Sequence, residues 1–236
     1  GNSASAYYAS SGGGIYSYEG TVTLNNSTVS GNFVSADHYA HGGGICNDGT
    51  FTLLNSLISG NTADQGSEVY NDSTIHADSF NVFGHSGESD TDAFVGFTPG
   101  ASDIDATGSS GIVLEDILSP LMDNGGPTWT HALPEGSPAI DLDTTCSTNA
   151  DQRGEPRPVG AGCDAGSFEF DASCGDFSGA WKHYTSSATD ATITTAGESF
   201  TGVWNSFSRP NFSGTSGTLS EGNCSADVTF PDAGLY

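Results

Sequence analysis

The sequence predicts an all-β protein that begins as a parallel β-helix and ends as a small antiparallel β-module. Three observations support this prediction: a repeat of about 30 residues near the start, an alternation of apolar residues with threonine inside each repeat, and a change of sequence after the repeats. We expect coils over residues 1–84, an irregular capping region over residues 85–170 and the β-module over residues 171–236.

The repeat is clearest in two successive stretches of the chain. "GGGIYSYEGTVTLNNSTVSGN" covers residues 12–32, and "GGGICNDGTFTLLNSLISGN" covers residues 42–61. A weaker third pass runs through "VYNDSTI" at 69–75 and closes with "NVFG" at 81–84. Repetition that fades toward one end is typical of a solenoid with a terminal coil.

The pattern within one repeat indicates strands. In "TVTL" and "TFTL" the apolar residues alternate with threonine, which is the period of a half-buried strand and not of a helix. Asn26 and Asn55 follow on the same alternating face, so stacked coils are expected to place them about 4.8 Å apart in an asparagine ladder. Val29 and Ile58 then resume the apolar column.

The spacing of the repeat predicts that the chain begins inside a coil, because Gly1-Asn2 is in register with Gly31-Asn32. An uncapped coil would leave an open sheet edge. We therefore expect further coils and an export signal before Gly1. The alternative is that residues 1–11 form a loose cap.

The tail predicts a separate antiparallel module. "ATITTAGESFTGVWNS" at 191–206 indicates two strands around a turn, with Ile193, Phe200 and Trp204 as core candidates. The last strand, near Val228 and Phe230, looks incomplete. This predicts strand exchange with another subunit, and a homopolymeric fibre built through the coil ends and the module.

Charge excludes several classes of partner. The chain carries 29 Asp and Glu residues against 4 Lys and Arg, a formal charge of −25. Such a chain repels nucleic acid, anionic lipid and acidic polysaccharide. The sequence contains no run of about 18 apolar residues, so it does not predict a membrane-spanning helix.

The region after the repeats contains a series of distinctive sequence motifs. They are DNGGPT at 123–128, His131, GSPAID at 136–141, DQRG at 151–154, PRP at 156–158, Cys163-Asp164 and GSFE at 166–169. Together with the coils, over about residues 12–170, they resemble bacterial right-handed parallel β-helix surface proteins that have polymorphic outer membrane protein-like repeats and end in a choice-of-anchor Q domain. The resemblance implies an exported, modular protein held at or released from the cell surface. Biochemical activity is rarely assigned to this domain.

Two of the four basic residues, Arg153 and Arg157, lie among acidic residues in these motifs. A guanidinium can donate two hydrogen bonds at once to carboxylate or carbonyl oxygens. We therefore expect both side chains to stabilise the cap by fixing the loops that close the β-helix.

Cysteine positions predict an oxidising, extracellular setting. Cys146 and Cys163 bracket the arginine-containing loop, and Cys174 and Cys224 bracket most of the tail, which suggests two local disulfides. Cys46 remains, and we expect it to fill core space as a small hydrophobe.

Alternating acidic residues are candidates for a structural calcium site, the one cofactor that the sequence suggests. They are Glu88, Asp90, Asp92, Asp141 and Asp143. Alternating acids are also common on solvated loops. His38 and His41 lack an evident third zinc ligand, so they are expected to be exposed.

The sequence favours a non-catalytic extracellular protein of the bacterial surface, with a structural or adhesive role. Its threonine, serine and asparagine columns are expected to bind neutral glycans or a protein receptor. The alternative is a fragment of a β-helix enzyme that binds or hydrolyses polysaccharide. Residues 1–150 contain no Lys or Arg, which argues against a uronate lyase, and no pair of carboxylates suited to hydrolysis is evident.

Overall fold

A computed structural model describes residues 1–171 and the strand backbones within 179–181, 191–196, 199–204 and 213–218. The chain divides into two compact units, Gly1–Phe170 and Asp171–Tyr236. The first unit contains a parallel β-solenoid of about three turns, which confirms the predicted fold class.

The strands of the solenoid follow the predicted coils. The first coil comprises β1 (Ser3–Ala6), β2 (Ala9–Ser11), β3 (Ile15–Asn25) and β4 (Thr28–Val29). The second comprises β5 (Phe33–Ala36), β6 (Tyr39–His41), β7 (Ile45–Leu54) and β8 (Leu57–Ile58). The third comprises β9 (Val69–Asn71), β10 (Thr74–His76) and β11 (Val82–Phe83).

Equivalent strands pair in parallel from one coil to the next. β1 pairs with β5, β2 with β6, and β3 with β7, which continues to β9 and β10. A short α1 (Asp90–Ala93) leads into β12 (Phe94–Val95), which pairs with β9, and β13 (Ile104–Asp105) extends the row β4-β8-β11. The register aligns Ile15 with Ile45 and Leu24 with Leu53, as the repeat predicts.

The row β4-β8-β11-β13 separates two hydrophobic cores. Val29, Ile58 and Phe83 point into the solenoid and pack with the interior residues of the coils. Leu57 and Val82 point to the opposite face and pack against residues that follow the coils. Both faces of the central strands β8 and β11 are therefore buried, although the period of two alone suggests a half-exposed strand.

The residues after β13 form what we call the flanking segment, residues 106–170. It contains α2 (Leu114–Ile117) and the antiparallel pair β14 (Leu121–Met122) and β15 (Thr130–His131). Its last part reaches the first two coils, because Gly166 N donates to Asn55 O and Ser167 N donates to Thr28 Oγ1. The predicted cap therefore lies along the side of the coils. It lies there because its apolar residues bury the outward-facing Leu57 and Val82.

The second unit contains a four-stranded antiparallel sheet. Its strands are β16 (Gly179–Trp181), β17 (Ala191–Ala196), β18 (Ser199–Trp204) and β19 (Ser213–Thr218), in that order. The expected side-chain core and the expected incomplete last strand lie outside the described residues. In the described part of the chain, no helix is long and apolar enough to span a membrane.

Candidate functional site

Asparagine ladders run along the coils, but in columns other than the expected one. Asn32 Nδ2 donates to Asn61 Oδ1 at 2.8 Å, and Asn47 Nδ2 donates to Asn71 Oδ1 at 2.8 Å. All four residues are buried. Each amide both donates and accepts, so the ladders satisfy buried polar groups from one coil to the next.

The expected ladder residues, Asn26 and Asn55, occupy equivalent corners with φ of 45° and 46°. Asn26 Oδ1 accepts from Ser147 Oγ at 2.7 Å, and Asn55 Nδ2 donates to the Asp164 carbonyl at 3.1 Å. These side chains therefore fasten the flanking segment to the coils. The backbone is left-handed at Asn26 and Asn55, so the alternation of side chains along the strand ends at this corner. The predicted ladder requires that alternation to continue through it.

Arg157 lies at the centre of the last part of the flanking segment. Its side chain and that of Glu169 are both fully buried, and Nη1 donates to Glu169 Oε2 at 2.8 Å. Nη1 also donates to the Asp164 carbonyl, and Nη2 donates to the Gly166 carbonyl. One guanidinium thus satisfies three acceptors of an irregular loop.

Arg153 makes a second set of contacts. Its Nε donates to Asp151 Oδ2 at 2.8 Å, its Nη2 donates to the Glu169 carbonyl at 2.7 Å, and its guanidinium carbon lies 3.6 Å from the centre of the Phe168 ring. Burial alone would raise the pKa of Asp151, but the Glu169 N–H and Arg153 outweigh it and hold that pKa below its ordinary value.

The structure confirms one of the two expected disulfides. Cys146 and Cys163 are joined, with their Cα atoms 5.4 Å apart. Cys174 and Cys224 lie outside the described residues, so their pairing stays a prediction. Cys46 is a buried free thiol, and burial with nearby Asp48 raises its pKa to about 11.

The acidic residues expected to bind calcium fall in two places. Glu88, Asp90 and Asp92 lie at or just before α1, whereas Asp141 and Asp143 lie just before Cys146 and contact the loop that the disulfide closes. Several of their carboxylates accept hydrogen bonds, from Thr107 to Asp90, from Ser89 to Asp92, from Ala161 and Gly162 to Asp141, and from Thr145 to Asp143. Calcium binding by this set stays a prediction.

A row of rings on the outside of the coils is the most distinctive exposed feature of the first unit. We call it the aromatic strip, and it consists of Tyr8, His38, Tyr39, His41 and Tyr70. Consecutive ring centres lie 4.9 Å apart from Tyr8 to His38, 5.9 Å from Tyr39 to His41 and 4.2 Å from His41 to Tyr70, where the rings are stacked. The strip therefore crosses three coils.

The strip is partly open to solvent. Tyr8 is 61% exposed and Tyr39 is 50% exposed, whereas His41 is half-buried, contrary to expectation, because it stacks on Tyr70. Burial and nearby Asp72 raise the pKa of Tyr70. Beside the strip, a hydrogen bond to Asp48 raises the pKa of Tyr16 to about 12.

Comparison with known proteins gives no relative from which to transfer a function. No family model, curated protein or solved structure matches this chain.

Proposed function

We propose that this chain is a non-catalytic, extracellular adhesive protein that binds neutral polysaccharide through the aromatic strip. The observation that carries the proposal is the continuous row of five rings across three coils, with Tyr8 and Tyr39 at least half exposed. Rings placed outside the core contribute little to folding, so a surface role accounts for them better than a packing role.

Sugar rings match this surface in shape and chemistry. The C–H face of a pyranose carries slight positive charge and packs on the negative face of a tyrosine ring. Equivalent strands in successive coils are about 4.8 Å apart, so the strip offers repeated contacts along the stacking direction. A linear polysaccharide offers rings in a similar regular series.

The charge of the chain favours a neutral ligand. The first Lys or Arg in the sequence is Arg153, and the whole chain has a formal charge of −25. Acidic polysaccharides would be repelled by this field. Threonines aligned in neighbouring coils, Thr21 with Thr50 and Thr50 with Thr74, can donate and accept hydrogen bonds with sugar hydroxyls without selecting for charge.

Two further features support a surface location. The Cys146–Cys163 disulfide is typical of proteins that fold outside the reducing cytoplasm. The motifs of residues 123–169 resemble the choice-of-anchor Q domain of bacterial β-helix surface proteins, which supports a location at the cell surface.

Hydrolysis of polysaccharide is the alternative activity. It requires two carboxylates roughly 5–9.5 Å apart on either side of the bound sugar. Glu68 and Glu88 are brought together by the fold, but Glu68 is fully buried and cannot reach such a ligand. Release of new reducing ends from a bound polysaccharide would favour the hydrolase over the adhesin.

Assembly into a fibre is the second candidate function, and one observation favours it. Among the described strands, β1, β3 and β4 each pair on one side only. Val22 is also less buried than its fully buried partner Phe51. A further coil or a second copy of the chain can pair with this edge. Electron microscopy of the native protein distinguishes filaments from isolated particles.

The glycan proposal is tested by removing rings from the strip. We expect the double variant Tyr8→Ala/Tyr39→Ala to bind neutral polysaccharide at least about fivefold more weakly, since each of the two aromatic contacts contributes roughly 0.5–1.5 kcal/mol. Affinity electrophoresis in gels that contain neutral or acidic polysaccharides measures this effect.

Tyr7→Ala is the matched control. Tyr7 is 80% exposed and adjacent to Tyr8, yet it makes none of the ring contacts that define the strip. Equal retardation of the wild type and the double variant in every neutral polysaccharide, or retardation by acidic polysaccharide alone, would contradict the proposal.

A further inference from the structure

The third coil departs from the first two at one corner of the solenoid. Ile15 N donates to the Gly44 carbonyl, and Ile45 N donates in the same way to the Glu68 carbonyl. Glu68 therefore takes the place of a glycine in the repeat. A Cβ on Gly44 would lie 2.8 Å from Asn61 Nδ2, so a side chain fits only where the ladder stops.

The Glu68 carboxylate ends the asparagine ladder. Its Oε2 accepts from Asn61 Nδ2 at 2.6 Å, and its Oε1 accepts from Gly60 N at 2.7 Å and Asn61 N at 3.3 Å. The side chain is fully buried. An ionised carboxylate can accept about four hydrogen bonds or ligand contacts, so it has capacity left on the side facing the next residues of the chain.

His85 and Glu88 face that side. His85 Nδ1 and Glu88 Oε2 are 3.5 Å apart, and both atoms are buried with no hydrogen-bond partner among the residues that the structure describes. One ligand atom from each of Glu68, His85 and Glu88 can be chosen so that all three lie within 4.8 Å of one another. The three side chains therefore converge on a single point.

This cluster places two carboxylates close together with little to neutralise them. Burial raises the pKa of Glu68 to about 8, with a further contribution from repulsion by Glu88. Burial and nearby Asp92 raise the pKa of Glu88 to about 7. The sequence supplies no Lys or Arg before Arg153, so a cation between the carboxylates would remove an unfavourable interaction.

We propose that Glu68, His85 and Glu88 bind one first-row divalent cation, for which zinc is the best match. Bonds of about 2.0–2.2 Å in a tetrahedral arrangement place ligand atoms about 3.3–3.5 Å apart, which fits the separation of His85 Nδ1 and Glu88 Oε2 of 3.5 Å. An imidazole nitrogen suits zinc and disfavours calcium and magnesium, which prefer oxygen ligands. The site ties the end of the ladder to the residues that lead into α1.

This site differs from the calcium site expected from sequence. It shares Glu88 with that set, but Glu68 and His85 replace Asp90 and Asp92. Asp90 accepts from Thr107 Oγ1 at 2.6 Å, so its carboxylate has another partner.

The test uses the full chain after metal is removed with a chelator. Calorimetric titration with zinc chloride is expected to show one equivalent bound, and zinc is expected to raise the thermal unfolding temperature. His85→Asn and Glu88→Gln should each weaken zinc binding more than tenfold and abolish the rise in unfolding temperature. Glu68→Gln is less suitable, because Glu68 also ends the ladder.

Two controls separate this site from adventitious binding by surface groups. His76→Asn changes an exposed histidine in β10, and Glu115→Gln changes an exposed glutamate in α2; both should bind zinc as the wild type does. Cobalt absorption bands typical of tetrahedral nitrogen and oxygen ligands should appear in the wild type and disappear in His85→Asn.

The proposal would be overturned by any of three results. The wild type could fail to bind zinc, or its thermal unfolding temperature could rise with calcium and not with zinc. Alternatively, the His85→Asn and Glu88→Gln variants could both bind zinc with wild-type affinity, which would place the bound metal elsewhere on the chain.

Discussion

The coils and the flanking segment satisfy their buried polar groups in different ways. In the coils, Asn47 and Asn71 pass a hydrogen bond from one layer to the next, and neither group is charged. In the flanking segment, the buried Arg157 guanidinium binds the Glu169 carboxylate and two carbonyl groups. In a regular stack, neutral amides can repeat the same hydrogen bond from coil to coil. An irregular loop has acceptors in many directions, which a guanidinium with several N–H donors can satisfy together.

This difference predicts unequal sensitivity to mutation. Removing one side of a buried ion pair leaves an uncompensated charge, which is more costly than a lost neutral hydrogen bond. Mutation of a buried polar residue should therefore destabilise the flanking segment more than the coils. This is expected even though the flanking segment packs on the coils at Leu57 and Val82.

The largest effect is expected for Arg157→Met. The free energy of unfolding of the flanking segment should fall by about 3–5 kcal/mol, because Glu169 is left buried without its partner. Urea unfolding followed by pulsed hydrogen exchange and mass spectrometry measures this locally, on peptides from residues 149–170 and 45–54. The fall should be greater in the first peptide.

Two further variants sharpen this test. Arg153→Met should cost less, because the Arg153 side chain is 14% exposed and Asp151 keeps backbone donors. Arg157→Met/Glu169→Gln should recover part of the loss by removing the stranded charge. A cost for Arg157→Met below that of Arg153→Met would show that the ion pair is not what holds the flanking segment.

A smaller effect is expected for Asn47→Ala in the coils. Asn47 is fully buried, and it bonds to Asn71 and to both backbone groups of Gly49. Losing these neutral bonds should lower the free energy of unfolding by about 1–3 kcal/mol, read by the same method on residues 45–54.

Asn47→Asp tests whether neutrality matters. Aspartate keeps the shape of the side chain but loses the donor to Asn71 and adds a charge, so it should cost more than alanine. If Asn47→Asp were as stable as the wild type, the neutral ladder would not distinguish the coils from the flanking segment.

The pairing of the coils could be predicted from sequence, whereas most contacts of the flanking segment could not. Stacking follows from the repeat, so the pairing of Ile15 with Ile45 was predictable. The repeated Ser-Gly-Asn at 30–32 and 59–61 also indicates the observed ladder of Asn32 and Asn61. The sequence-based prediction instead places the ladder at the preceding corner, at Asn26 and Asn55.

Contacts of the flanking segment join residues far apart in sequence. Ser167 bonds to Thr28 across 139 positions, and Asn55 bonds to Asp164 across 109. No repeat relates these residues, so only the three-dimensional packing reveals them. Arg153 and Arg157 could be singled out because basic residues are so rare here, but not their individual partners.

The candidate sites left signals in the repeat that alignment of the glycines makes visible. "SAYYASSGGG" at 5–14 aligns with "SADHYAHGGG" at 35–44, which places Tyr8 over His38 and foreshadows the aromatic strip. Glu68 stands where the first two coils have Gly14 and Gly44. A charged residue in a glycine column marks a local change of function or packing.

The smallest expected effect is the dependence on pH of the stability that Asp151 contributes to the flanking segment. Because its pKa is held below the ordinary value of 3.8, Asp151 stabilises the folded state above that pH. This stabilisation is lost as the pH falls through the folded pKa. The difference in unfolding free energy between the wild type and Asp151→Asn should be constant from pH 7 to pH 5 and shrink below about pH 3.8.

Asp164 has the opposite sign, since burial raises its pKa to about 6, but its effect cancels when the wild type is compared with Asp151→Asn. The matching difference for Asn47→Ala should not change with pH, because neither amide of that ladder titrates. A parallel change in both differences would trace the pH dependence to the global charge of the chain, and the contrast between a neutral stack and a charged loop would then be lost.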